Sequence, residues 1–160
     1  MHLKKTLYLS FLLLLTSCQN PLSQGTPMFI EKLEIIAENN ANNNSPVAVD
    51  IVASYNKSLT ERLISISART YFQQKKQLER DFPNTIYTKG WEIPPGMSAN
   101  EVVMHDPQMV SGMFIFADYL TPGDHRARLE PDEYVKVILQ EKDMVIKSVT
   151  PLEEKDKENA

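Results

Sequence analysis

The sequence predicts a mainly β protein: an antiparallel β-sandwich of about seven or eight strands with one inserted helical segment. Three observations predict it. Side chains alternate apolar and polar with period two ahead of residue 55. The spacing then lengthens to three and four residues between Ser58 and Phe82. From Thr85 on, short apolar runs return, separated by Pro- and Gly-bearing turns. A helix-flanked open sheet is the competing architecture for the same pattern.

The first strand is expected at Phe29 to Ala37, with Leu33, Ile35 and Ala37 on one face and charges between them. Glu38 to Pro46 follows, and it holds five asparagines in the six positions Asn39 to Asn44. Asparagine accepts left-handed backbone and bonds readily to its own main chain, so this stretch is a loop. Val47 to Tyr55 shows the cleanest alternation. Val47, Val49, Ile51, Ala53 and Tyr55 share one face; Ala48, Asp50, Val52 and Ser54 share the other. Ser58-Leu59-Thr60-Glu61 has the form of a capping box, with Ser58 as N-cap and Glu61 reaching back to its amide. Leu59, Leu63, Ile64, Ala68, Tyr71, Phe72, Leu78 and Phe82 then form an apolar stripe on one long helix or two short ones, ended by Pro83. The stripe reads as core packing rather than a ligand pocket.

Ile86 to Ile93 is the next strand, turned by Pro94-Pro95-Gly96, with Glu101 to Met104 continuing beyond. Met109 to Tyr119 is nearly all apolar, the pattern of a central strand covered on both faces. After the turn at Leu120 to Asp124, Asp124-His125-Arg126 reads as a solvated polar cluster. Tyr134 to Leu139 and Met144 to Val149 pair as a closing hairpin across Gln140 to Asp143. The tail from 151 to 160 has almost nothing to bury and is expected to be disordered.

The amino terminus has its own logic. Lys4 and Lys5 precede an apolar core from Leu7 to Leu15, too short to span about 30 Å of hydrocarbon, so it is an export signal. It closes on Leu15-Thr16-Ser17-Cys18, which resembles the bacterial lipobox. That motif's cysteine takes a diacylglycerol through sulfur, becomes residue one after cleavage and is then N-acylated. An ordinary signal peptide with a chance cysteine and an uncleaved anchor are the competing readings. Gln19 follows; in enterobacterial lipoproteins Asp at that place tends to retain the protein at the inner membrane, so Gln19 favours the outer one. The chain divides into a signal peptide (1–17), a lipidated tether (18–28), a β-sandwich domain (29–150) and the tail (151–160).

Composition narrows the function. Cys18 is the single cysteine, so no disulfide forms within the chain. With Lys4 and Lys5 removed, the 17 basic residues fall to 15 against 21 acidic ones, a net −6 that gives no footprint for nucleic acid. The mature chain keeps two histidines, His105 and His125, and His105-Asp106 has no further His or Cys to complete a metal site. There is no Gly-x-Ser-x-Gly elbow and no phosphate-cradling glycine loop. The expectation is a non-enzyme with no catalytic or metal residues, no small-molecule substrate, and no cofactor beyond the lipid on Cys18.

In co-linear order, the lipobox, the Asn-rich loop ending in Ser45-Pro46-Val47-Ala48-Val49, the aromatics at Tyr71-Phe72, Ile93-Pro94-Pro95-Gly96 and Gly112 to Tyr119 resemble the TssJ (SciN) family. These are the outer-membrane lipoproteins of type VI secretion systems. The chain departs from the family at Asp50-Ile51-Val52, where Arg and an aromatic are common, and at His125-Arg126, where Trp-Arg is usual. It thus looks like a divergent member. The resemblance implies a transthyretin-like sandwich held by its lipid at the periplasmic face of the outer membrane. It implies a structural role, with the periplasmic domain of a TssM-like inner-membrane protein as partner and the other membrane-complex subunits as further candidates. The matching partner-binding loop here is Asn39, Asn40, Asn42, Asn43, Asn44 and Ser45. A pilotin or accessory lipoprotein of another secretion or pilus machine is the alternative.

Overall fold

A computed structural model describes residues 25–101 and 104–148. The expected signal peptide, Cys18, most of the tether and the tail lie outside them. The element order is β1 (Thr26–Ala37), α1 (Ala41–Asn44), β2 (Val47–Ser54), α2 (Lys57–Ser65), α3 (Ala68–Asp81), β3 (Ile86–Ile93), β4 (Ser98–Glu101), β5 (Met104–Val110), β6 (Gly112–Asp118), β7 (Arg126–Leu129), β8 (Asp132–Leu139) and β9 (Met144–Ser148). The chain is mainly β, as its patterning predicts. One sheet has the order β4-β1-β8-β9, with β5 also on β1; the other has the order β3-β2-β6-β7. Every pairing is antiparallel except β1 with β8, which run parallel from Ile30↔Asp132 to Ala37↔Leu139.

The sandwich core lies between the sheets. Leu33, Ile35 and Ala37 of β1 meet Val47, Val49, Ile51 and Ala53 of β2, with Ile115 of β6 and Val135, Val137 and Leu139 of β8. Each fully buried aliphatic side chain of this kind contributes roughly 1.5–3 kcal/mol. β1 starts three residues before its expected position and buries Met28 and Ile30 as well. Its alternation slips by one place between Ile30 and Leu33, beside a shift in register with β5 between Met28 and Ile30.

A second, smaller core covers the outer face of the β2–β6 sheet. Val52, Phe114 and Phe116 pack there against Leu59, Leu63, Ala68, Tyr71 and Leu78 of the helices. The apolar stripe is therefore core, as read, except that Ile64 is exposed. The helical segment is two helices, broken at Ile66, which is extended (φ −112, ψ 149). The cap of the first is Asn56, not Ser58: the Asn56 side chain accepts from Leu59 N at 3.0 Å. Ser67 caps the second by accepting from Thr70 N.

Two further expectations change. Met109 to Tyr119 is not one strand. β5 ends at Val110 against β1, the chain bends at Ser111, whose amide donates to Ser54 O at 2.7 Å, and β6 begins at Gly112 in the opposite sheet. Gly112 is required there, since a Cβ would lie 2.9 Å from Thr60 Cγ2. The expected central strand is β6 alone, buried on both faces. A further strand, β7, pairs Met113↔Leu129 through Phe116↔Arg126 at the edge of this sheet.

Candidate functional site

Strand polarity brings four connections to one end of the sandwich: the loop 38–46 between β1 and β2, the turn 94–97, the loop 119–125 and the turn 140–143. This loop pole is knit by backbone hydrogen bonds. Glu38 N donates to Leu139 O (2.9 Å), Asn42 N to Gln140 O (3.1 Å), and Ala37 N to Met97 O (2.9 Å). Gly96 N donates to Ala37 O (3.1 Å) at φ +75, and a Cβ there would lie 2.7 Å from Asn39 Oδ1.

The Asn-rich loop has an uncommon backbone. Within α1, Asn42 (φ 47, ψ 45) and Asn43 (φ 54, ψ 47) are left-handed, and Asn44 follows at φ 61. Among residues that carry a side chain, asparagine takes left-handed backbone at the least cost, which suits a run of them here. The side chains then divide. Asn39, Asn40, Asn43 and Asn44 are exposed and Ser45 is half-buried. Asn42 is 2% exposed: its Nδ2 donates to Pro46 O (2.9 Å) and its Oδ1 accepts from Leu120 N (2.7 Å). Asn42 thus sits inside the loop rather than on its surface, with its oxygen and one amide hydrogen engaged within the domain. It is the bolt between two loops.

His125 also corrects the sequence reading. The residue is buried, at φ 44, rather than part of a solvated cluster. Its Nδ1 lies 3.0 Å from Asp143 Oδ1 and its Nε2 2.9 Å from Thr121 O, and its ring packs 4.8 Å from that of Tyr119. Tyr119 OH donates to Asp143 O at 2.8 Å, and burial, then the Asp143 charge, holds the phenol well above its ordinary range. Arg126 turns away from the pole and donates to Ile64 O and to Ile66 O (2.9 Å), satisfying carbonyls where α2 ends. The signal for this in the sequence is weak, because a turn-flanked His-Arg pair reads as surface.

A second polar group lies under the helices. Asp50, 3% exposed on β2, accepts from Tyr71 OH (2.7 Å) and pairs with Lys75 Nζ (2.6 Å). Burial first, then the Asp50 charge, pushes the Tyr71 phenol far upward, so it remains a donor. Gly90 on the neighbouring strand leaves room for this carboxylate, which a Cβ would overlap. A lone acid on an apolar strand was its sequence signal. Among the described residues no group of three or more His, Cys, Asp or Glu gathers as a metal site, and no helix is long and apolar enough to cross a membrane. The side chains of His105 and Asp106 are not among those described.

No protein-family model and no curated protein matches the sequence. Solved structures do match. The type VI secretion lipoprotein TssJ1 from Pseudomonas aeruginosa aligns with a TM-score of 0.58 at 13% identity, over 78% of this chain and 98% of that one. The structure of the TssM C-terminal domain from EAEC gives 0.56 at 18%, over 74% and 98%. Serratia marcescens Lip, a membrane-bound component of the type VI secretion system, gives 0.52 at 10%, over 74% and 96%. At these identities the likeness shows the fold, which is TssJ-like.

Proposed function

We propose that this chain is a structural lipoprotein of a type VI secretion membrane complex. In this reading acyl chains on Cys18 hold it at the periplasmic face of the outer membrane, and its loop pole binds the periplasmic domain of a TssM-like inner-membrane protein. It is not an enzyme, and the covalent lipid is its one non-protein group. The observation that carries the reading is a TssJ-like fold whose Asn-rich ridge stands at the pole opposite chain entry. The twelve residues of β1 separate Gly25 from that ridge by about 36–40 Å. A ridge so placed faces away from an anchored amino terminus.

The exposed amides of Asn39, Asn40, Asn43 and Asn44 suit a protein partner, because they offer donors and acceptors without the desolvation cost of full charges. Exposed Met97 and Leu120 flank them. Affinity purification from solubilised envelopes should recover a TssM-like protein; recovery of a pore-ring subunit instead would establish the pilotin alternative. Asn43→Gly combined with Asn44→Gly keeps the left-handed backbone and removes the side chains. We expect it to weaken partner binding by about tenfold, roughly 1.4 kcal/mol, with the melting midpoint nearly unchanged. Asn42→Ala should instead lower stability by about 1–3 kcal/mol, since it strands the Leu120 amide. Unaltered affinity in the double variant would move the interface elsewhere.

A further inference from the structure

We infer that the pole at which the chain enters the domain lies on the lipid surface, with Tyr55, Ile64 and Met109 in the bilayer interface. The inference rests on acylation of Cys18. Among the described residues six large apolar side chains are exposed; Tyr55 and Met109 lie at strand ends of this pole, and Ile64 lines a cleft that reaches the chain entry. Met109, 54% exposed, pairs with Pro27 beside the chain entry. Tyr55, 38% exposed, directly follows β2 and donates its amide to Thr85 O at 2.9 Å. Ile64, 46% exposed, shares with Gly25, Thr26, Val110 and Arg128 the wall of a cleft of about 310 Å³.

Tether length decides which pole can touch the membrane. Gln19 to Gln24 are the six residues between Cys18 and Gly25, so the two ends are at most about 25 Å apart when fully extended. Seating Met97 and Leu120 of the loop pole on the bilayer would hold Gly25 about 36 Å away along β1, beyond that reach. The entry pole needs no such span. Its chemistry suits an interface: a tyrosine with an apolar body and a polar tip, two aliphatic side chains, and long cations beside them. The cations already face carboxylates, Lys57 with Glu61 at 4.0 Å and Arg128 with Glu130 at 3.7 Å. Contact is therefore apolar and independent of anionic lipid, which fits a chain of net negative charge.

The test uses the acylated protein in phosphatidylethanolamine/phosphatidylcholine vesicles, with and without phosphatidylglycerol. Acylation blocks the single native thiol, so Ile64→Cys, Met109→Cys, Met97→Cys and Leu120→Cys each accept one spin label at an exposed site. Oxygen and nickel-complex accessibilities then report depth. Labels at 64 and 109 should lose nickel accessibility in both lipid mixtures, and labels at 97 and 120 should stay aqueous. Equal aqueous signals at all four positions, or a shift at 64 and 109 seen only with phosphatidylglycerol, would overturn this docking while leaving the anchor intact. Intact mass is read first: a terminus without acyl chains removes the anchor itself and this inference with it.

Discussion

The two sheets share one core on their inner faces and differ on their outer faces. The β1–β8 sheet turns its outer face to water. There Glu34 accepts from Tyr134 OH and pairs with Lys136 Nζ at 2.8 Å, and Lys32 sits 4.2 Å from the Tyr134 ring centroid. The β2–β6 sheet lies under α2 and α3, so Phe116 stacks on Tyr71 with ring centroids 4.3 Å apart and Asp50 is sealed beneath them. The difference teaches that a strand's pattern reports its two neighbours, not its own propensity. β1 alternates because one side is wet; β6 cannot, because neither side is.

The largest test of that contrast is truncation on each outer face. Phe116→Ala should cost about 3–5 kcal/mol in urea unfolding, whereas Val145→Ala on the open sheet should stay within about 0.5 kcal/mol. Similar losses at both positions would mean that the helices do not cover β6. Next is the buried carboxylate. Asp50→Ala strands the Tyr71 hydroxyl and should cost roughly 1–3 kcal/mol. Gly90→Ala should also destabilise, by pressing a methyl onto Asp50, and the double variant should lose less than the sum of the two. Simple additivity in that cycle would separate Gly90 from the acid.

The smallest effect is on the open face and depends on pH. Burial alone would raise the Glu34 carboxyl, but hydrogen bonds from Lys136 and Tyr134 outweigh it and hold the group below its ordinary 4.5. A group depressed on folding stabilises above its unfolded value, and that contribution is lost as pH falls through the folded value. Lys136 is raised above 10.5, chiefly by the Glu34 hydrogen bond, so its share is present below 10.5 and lost as pH rises through the folded value. Lys136→Met should therefore flatten the loss of stability below pH 4.5, by under about 1 kcal/mol. An unchanged acid limb would show that the pair contributes nothing in solution.

Local chemistry was readable where one physical cause acts alone. The alternation of Val47, Val49, Ile51 and Ala53 named the inner face of β2, and the run of asparagines named a left-handed loop. The helical stripe named its core residues, apart from Ile64. What failed had two competing causes. Ser58 and Asn56 are both residue types that suit an N-cap, and in the fold it is the Asn56 side chain that accepts from Leu59 N. Val110 and Gly112 look like one apolar run, yet they lie on different sheets because Ser111 bends the chain between them. His125 follows a Pro-Gly turn and reads as surface until Asp143, far along the chain, closes over it. At the loop pole the sequence grouped six polar residues, and their side chains separate into five that face outward or partly so and one, Asn42, that holds the loop together.

The sequence by itself determined the mainly β architecture, a helical insertion after the second strand, the lone thiol at the end of an apolar leader, and a polar loop between the first two strands. These follow from period, cap and turn chemistry, which act over a few residues. Tertiary structure decided that four distant connections share one pole, that β1 and β8 run parallel, that Asn42 and His125 face inward, and that the chain enters at the far end. Those depend on which strands lie side by side, and pairing is set by the fit of whole faces rather than by any short stretch of residues.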